Sequence, residues 1–222
     1  LTLSLITFFQ RFPISFRAER QLRRYLLRFG HSLIRVLDDM RWDRPIAGTW
    51  LQRQIFAYHM NQLTTLPQRI SNLIPALPSS NVSDSGREAL AGLTYRLEAT
   101  AIRINDLARL RTEPADDVWV ALLADDVREW RLGIRGVIAK LLDEPDASSL
   151  ADLQERLDSR IKKLESLISE HSGDSEAPPA TPQGKAHMRR VLSTYHGISL
   201  AVIGIARRAR QISWQRLSEN RF

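Results

Sequence analysis

Residues 186–217 read AHMRRVLSTYHGISLAVIGIARRARQISWQRL. Met188, Val191, Tyr195, Ile198, Val202, Ile205, Ala209 and Ile212 recur at alternating steps of three and four. That is the period of a single apolar stripe on a helix, and it predicts one long helix from about Ala186 to Leu217. A stripe of this length needs apolar partners along its whole course. The remaining sequence supplies them.

Working outward, the same rhythm predicts five further helices and a break between each. Leu22, Leu26, Phe29, Leu33, Val36 and Met40 mark a first helix over 14–40, with an arginine series on its opposite face. After the break at 42–45, Trp50, Ile55, Leu63, Leu66, Ile70 and Leu73 mark a second, which Pro67 is expected to kink or end early. Pro75 to Gly86 is a turn-rich loop, and Ser83 or Asp84 is the expected N-cap of a third helix running to about Thr112. Its stripe is Leu90, Leu93, Leu97, Ala101, Ile104 and Ala108. Pro114, Asp116 and Asp117 open a fourth helix striped by Val118, Leu122, Trp130, Ile134, Val137 and Leu141. Glu144-Pro145-Asp146 closes it. A fifth follows from Ser148 or Ser149, with Leu150, Leu153, Leu157, Ile161, Leu164 and Ile168 in heptad positions.

Residues 173–184, GDSEAPPATPQG, have the composition of a mobile linker. The expected fold is therefore all-α: an elongated antiparallel bundle of about six long helices. Composition agrees. Of 222 residues, 43% are hydrophobic and only 7% aromatic, and runs rich in Val, Ile and Thr are missing, which excludes an all-β fold. With no cysteine, a disulfide framework, a thiolate zinc site and a cysteine nucleophile are excluded together.

The net charge of +7 is unevenly spread. Residues 1–81 hold 11 Arg against four acids, residues 82–172 hold 13 cations against 18 acids, and residues 173–222 hold eight against three. Cationic ends thus flank an anionic middle.

The chain opens on LTLSLITFFQRF, apolar for nine residues, and begins at Leu1 rather than Met, which predicts a piece of something longer. About 20 apolar residues are needed to span a bilayer, so this stretch cannot do so alone. Two readings stand for residues 1–13: an apolar lead-in to the core, or the inner end of a truncated membrane helix. Arg11, Arg17, Arg20, Arg23, Arg24 and Arg28 follow at once, as the positive-inside bias produces at a cytoplasmic exit. Residues 14–222 form the soluble helical domain. Arg17, Arg20, Arg23, Arg24 and Arg28 are the candidate membrane-proximal face, with anionic inner-leaflet lipids as partner.

Catalytic patterns are missing. The histidines (31, 59, 171, 187 and 196) never stand at the spacing of a helical zinc site, and there is no HExxH, GxSxG or phosphate-binding glycine loop. Adjacent carboxylates such as Asp38-Asp39 and Asp125-Asp126 point about 100° apart on a helix and do not form an acid–base pair. Gly197 and Gly204 are expected at close helix–helix approaches. No catalytic residue, metal site or cofactor is assigned. The acidic middle argues against nucleic acid as a partner.

The last 28 residues carry a more specific pattern. Tyr195-His196-Gly197-Ile198-Ser199, then Ile212-Ser213-Trp214, then Glu219, Arg221 and Phe222, resemble the C-terminal signature of fusaric acid resistance family membrane proteins. In that family a "YRGL" element leads to an "IDWxxWREERF"-like ending. This chain departs from it at His196, Ser213, Leu217, Ser218 and Asn220. Phe16-Arg17 with Leu22 is similar to the family's "FFR…LL" segment.

The resemblance implies a cytoplasmic, non-catalytic domain of a bacterial inner-membrane efflux transporter for aromatic or organic acids or drugs. Leu1–Phe12 would end the last membrane helix, the domain would couple or assemble the membrane part, and small-molecule substrate would bind elsewhere. Tyr195, Gly197, Trp214, Glu219, Arg221 and Phe222 become candidate docking residues: within the bundle, where Trp214 and Phe222 would anchor a chain end that otherwise frays, or, as the alternative, on the chain's own membrane domain or another copy. The competing reading is a water-soluble helical scaffold for another protein.

Overall fold

Thr49, Ser83 and Thr181 each turn a side-chain oxygen back onto a backbone N–H three residues on, and each starts a helix. The computed structural model describes residues 18–40, 48–79, 82–113, 117–143, 181–212 and 214, with the isolated positions 155, 159, 162, 163 and 166; side chains of 117–123 fall outside the description. Its helices are α1 (Ala18–Asp39), α2 (Trp50–Leu73), α3 (Asp84–Thr112), α4 (Asp117–Asp143) and α5 (Pro182–Ala209). A 3₁₀ turn, Ile74–Ala76, follows α2. No strand occurs among the described residues, and the protein is all-α.

The long helices lie side by side, α1 along α2, α2 along α3, α3 along α5, with α4 closing against α5 and α1. The longest seam joins α3 to α5. There, Glu113 faces His187, Arg103 lies over Gly197, Arg96 over Gly204, and Arg208 over Gly92. Numbers rise along one helix as they fall along the other, one for one, so the pair is antiparallel. Gly30 against Leu142 and Asp38 against Arg135 establish the same for α1 and α4.

Half of α5 is buried, 14 of its 28 residues, which makes it the central helix. It shares one core cluster with Leu90, Leu93, Leu97 and Ile104 of α3 and with Trp130, Ile134 and Ile138 of α4. Leu22, Phe29, Leu33 and Val36 of α1 and Leu63, Leu66 and Ile70 of α2 complete one continuous core. Each such side chain contributes roughly 1.5–3 kcal/mol on burial. Two buried threonines are satisfied within their own helices: Thr94 donates to the Leu90 carbonyl and Thr194 to that of Arg190, both at 2.9 Å.

Four expectations need correcting or narrowing. Of the two outcomes expected at Pro67, early termination does not occur, since α2 runs on to Leu73 with Pro67 buried. The second stripe is only half used: Leu63, Leu66 and Ile70 are buried, but Trp50 is 68% exposed. The segment 173–184 is not linker throughout, because Pro182 to Gly184 form the first turn of α5 with Thr181 as N-cap. Pro at the first helical position gives up an N–H that has no partner there in any case. At its other end α5 stops at Ala209, short of Leu217.

The fifth expected helix lies outside the described residues except at 155, 159, 162, 163 and 166, all helical. Lys163 Nζ donates to Asp126 Oδ1 at 2.9 Å, which ties that stretch to α4.

Candidate functional site

On α1, Arg20, Arg24, Arg28, His31 and Arg35 are all exposed at steps of four, four, three and four. That spacing places them in one stripe, directly opposite Leu22, Phe29, Leu33 and Val36. Arg23 is exposed as well, one flank round. Arg17 and the apolar stretch Leu1–Phe12 lie outside the described residues. Arg35 pairs with Asp39 across one helical turn at 3.5 Å. Neighbouring α2 contributes Arg53 and Arg69 and no acid. No described helix is long and apolar enough to cross a membrane.

The described residues of the C-terminal motif are not gathered into one place. Tyr195 is buried in α5 with its ring 4.4 Å from that of Trp130. Gly197 is half-buried, and a Cβ there would sit 3.0 Å from Arg103 Nε. The close approach expected at Gly197 and Gly204 is thus made by arginine side chains of α3 rather than by a helix backbone. Trp214 lies beyond the end of α5 and donates its indole N–H to the Ala209 carbonyl at 2.7 Å. This satisfies one of the last carbonyls of the helix. Tyr195 and Ala209 are 14 residues apart on a helix, or about 21 Å. Its described residues therefore divide into a core piece, Tyr195 and Gly197, and a cap, Trp214. Glu219, Arg221 and Phe222 lie outside the described residues.

A second polar constellation sits where α3 ends and α5 begins. Glu113, the C-cap of α3, receives His187 Nδ1 at 3.2 Å and Arg190 Nη2 at 2.9 Å on the same carboxylate oxygen. His187 is 4% exposed, and its Nε2 is buried without a partner. The group borders an open cleft of about 480 Å³ lined by Arg109, Arg189, Arg190, Asp106 and Ser193. The geometry is that of a charge clamp between two helix ends. Among the described residues no three His, Asp or Glu side chains are placed to hold a metal ion.

His59 of α2 lies against Ser32 of α1, Nδ1 to Oγ 3.1 Å. Burial, with the Arg35 guanidinium nearby, lowers its pKa below the usual histidine value, and Asp39 opposes this weakly. The unfolded chain then binds the proton at higher pH than the folded one. Stability held above about pH 6.5 is lost as pH falls through that range. Urea midpoints at pH 7.5 and 5.5 should fall more for the wild type than for His59→Gln, which has no ring to titrate.

Sequence reasoning missed His31 and Arg35 as continuations of the α1 stripe, although their spacing carried the signal. It also missed Glu113 with His187, 74 residues apart, for which no local pattern exists. Compared with known proteins, the chain matches no family model, no curated protein and no solved structure.

Proposed function

We propose that this chain is the cytoplasmic, non-catalytic domain of a bacterial inner-membrane efflux transporter of the fusaric acid resistance type, assembling or coupling its membrane helices. On this reading the domain is an elongated antiparallel bundle of about six helices, and the arginine face of α1 lies towards the anionic inner leaflet. The observation that carries it is the exposed arginine stripe Arg20, Arg24, Arg28 and Arg35 on the solvent side of α1, with His31 in line with it. A solvated helix face more often mixes both signs of charge. The C-terminal resemblance supports the family, and the apolar run ahead of the arginines supports the orientation.

Each arginine near an anionic surface contributes about 1 kcal/mol. Arg24→Gln/Arg28→Gln should therefore weaken binding to phosphatidylglycerol-containing vesicles about thirtyfold, with little change on phosphatidylcholine alone. Co-sedimentation measures both. Equal binding of the wild type to neutral and anionic vesicles would overturn the proposal.

A further inference from the structure

From Trp50 to Gln62 no residue of α2 is buried, although the stretch contains Trp50, Leu51, Ile55, Phe56, Tyr58 and Met60. Phe56 and Met60 rest on the core, whereas Trp50, Leu51 and Tyr58 are 68%, 60% and 56% exposed. The segment is nonetheless a fixed helix. Thr49 and Gln52 form a reciprocal capping box, with Gln52 N–H to Thr49 Oγ1 at 3.2 Å and Thr49 N–H to Gln52 Oε1 at 2.9 Å. Large apolar groups are held out in water by a rigid support.

What lies beside them decides the occupant. The contact of His59 with Ser32 places the first half of α2 against the second half of α1. Leu51 and Tyr58 are seven residues apart and share a face, as Arg28 and Arg35 do on α1. On the helical projection, with His59 and Ser32 marking the sides in contact, both pairs turn to the outer groove between the two helices. Arg35 is close enough to His59 for its charge to act on it. Leu51 and Tyr58 thus run beside a cationic row along one outer surface, with Trp50 exposed one position round from Leu51 in the first turn of α2. Between Asp43 and Asp84 the sequence has no acid.

We propose that Trp50, Leu51 and Tyr58 are a lipid-insertion anchor, entering the headgroup boundary of an anionic membrane beside the arginine stripe of α1. The proposal rests on the membrane-facing reading of α1 and adds the apolar half of that surface. Tryptophan and tyrosine favour the bilayer interface, where the ring is buried and its polar edge stays wet. A cationic helical face flanked by such side chains binds in the plane of the bilayer. A second copy of the chain is disfavoured as occupant, because symmetric pairing would set one arginine stripe against another.

The test uses the full 222-residue chain, so the apolar stretch at its start is common to every variant. Trp50→Ser/Leu51→Ser/Tyr58→Ser should bind phosphatidylglycerol-containing vesicles on the order of tenfold more weakly, since binding scales with inserted apolar area. All three side chains are exposed, and an unchanged melting temperature checks the fold. Brominated lipid should quench a fluorescence component that disappears in Trp50→Phe. If the wild type prefers anionic vesicles and Arg24→Gln/Arg28→Gln loses that preference, but the triple serine variant binds normally and Trp50 escapes quenching, the anchor is overturned while the membrane-facing reading stands. If the wild type shows no anionic preference, both fall. If the serines abolish self-association or a nucleic-acid gel shift instead of vesicle binding, the surface belongs to that partner and the anchor is overturned.

Discussion

Trp130→Ala is expected to destabilise the protein by about 3–5 kcal/mol, the cost of removing a large buried aromatic that the surroundings cannot refill. Trp130 is 1% exposed and stands at the centre of the α4–α5 contact. Its ring tilts across Tyr195 with centroids 4.4 Å apart, a geometry that adds to simple burial. Its indole N–H donates to Ser199 Oγ at 2.9 Å, and that hydroxyl donates in turn to the Tyr195 carbonyl at 2.9 Å. Alanine opens a cavity and leaves Ser199 with one partner fewer. For a chain of this length the loss corresponds to about 10 °C in melting temperature. Trp130→Phe is the smaller change, because it keeps a six-membered ring and removes the pyrrole part with its donor. It should cost about 1–3 kcal/mol. Thermal unfolding followed by circular dichroism measures both, and equal losses for the two variants would show that the pyrrole part with its hydrogen bond, not the packing of the remaining ring, dominates.

Gly30→Leu is expected to cost about 3 kcal/mol, at the upper end for overpacking. Helix propensity argues the other way, since glycine inside a helix is about 1 kcal/mol worse than alanine. Sterics decide. A Cβ added at Gly30 would lie 2.6 and 2.7 Å from the two Cδ atoms of Leu142. Leu142 is half-buried near the end of α4, so it can give way a little, but not by the length of a leucine. The wedge would lift α4 from α1 and strain the Asp38–Arg135 pair at 3.4 Å. Adding Leu142→Ala to Gly30→Leu should recover part of the loss. A double-mutant cycle on urea midpoints reads the coupling, and strict additivity would mean that the two residues do not meet.

Helix positions were legible wherever an apolar stripe was also buried. Leu90, Leu93, Leu97 and Ile104 in α3, and Val191, Tyr195, Ile198 and Val202 in α5, stand where their three-and-four rhythm placed them. The same rhythm misled at Trp50, because periodicity shows which residues share a face and not whether a partner covers that face. The start of α5 was obscured by composition. Three prolines among small polar residues read as linker, yet Thr181 followed by Pro182 is a helix start once the two are taken as N-cap and first helical position. Of the candidate site, the arginine face was legible from local spacing. Arginine over glycine was not, although Arg96 and Arg103 are seven apart and so are Gly197 and Gly204. Pairing them requires knowing that α3 and α5 lie side by side in opposite directions.

A seam built on a seven-residue repeat is degenerate, in that sliding one helix by a heptad presents the next set of similar knobs to the same holes. The arginine-on-glycine pairs share that period and only partly resist the slide: Arg103 would find Gly204, while Arg96 would meet Gln211. Glu113 resists the same slide, since it would then face Thr194 and leave His187 beside no carboxylate. A slide the other way would bring Asp106, one heptad earlier, opposite His187 and Arg96 opposite Gly197. The Glu113 contact with His187 and Arg190 therefore acts as a vernier mark in one direction of sliding only.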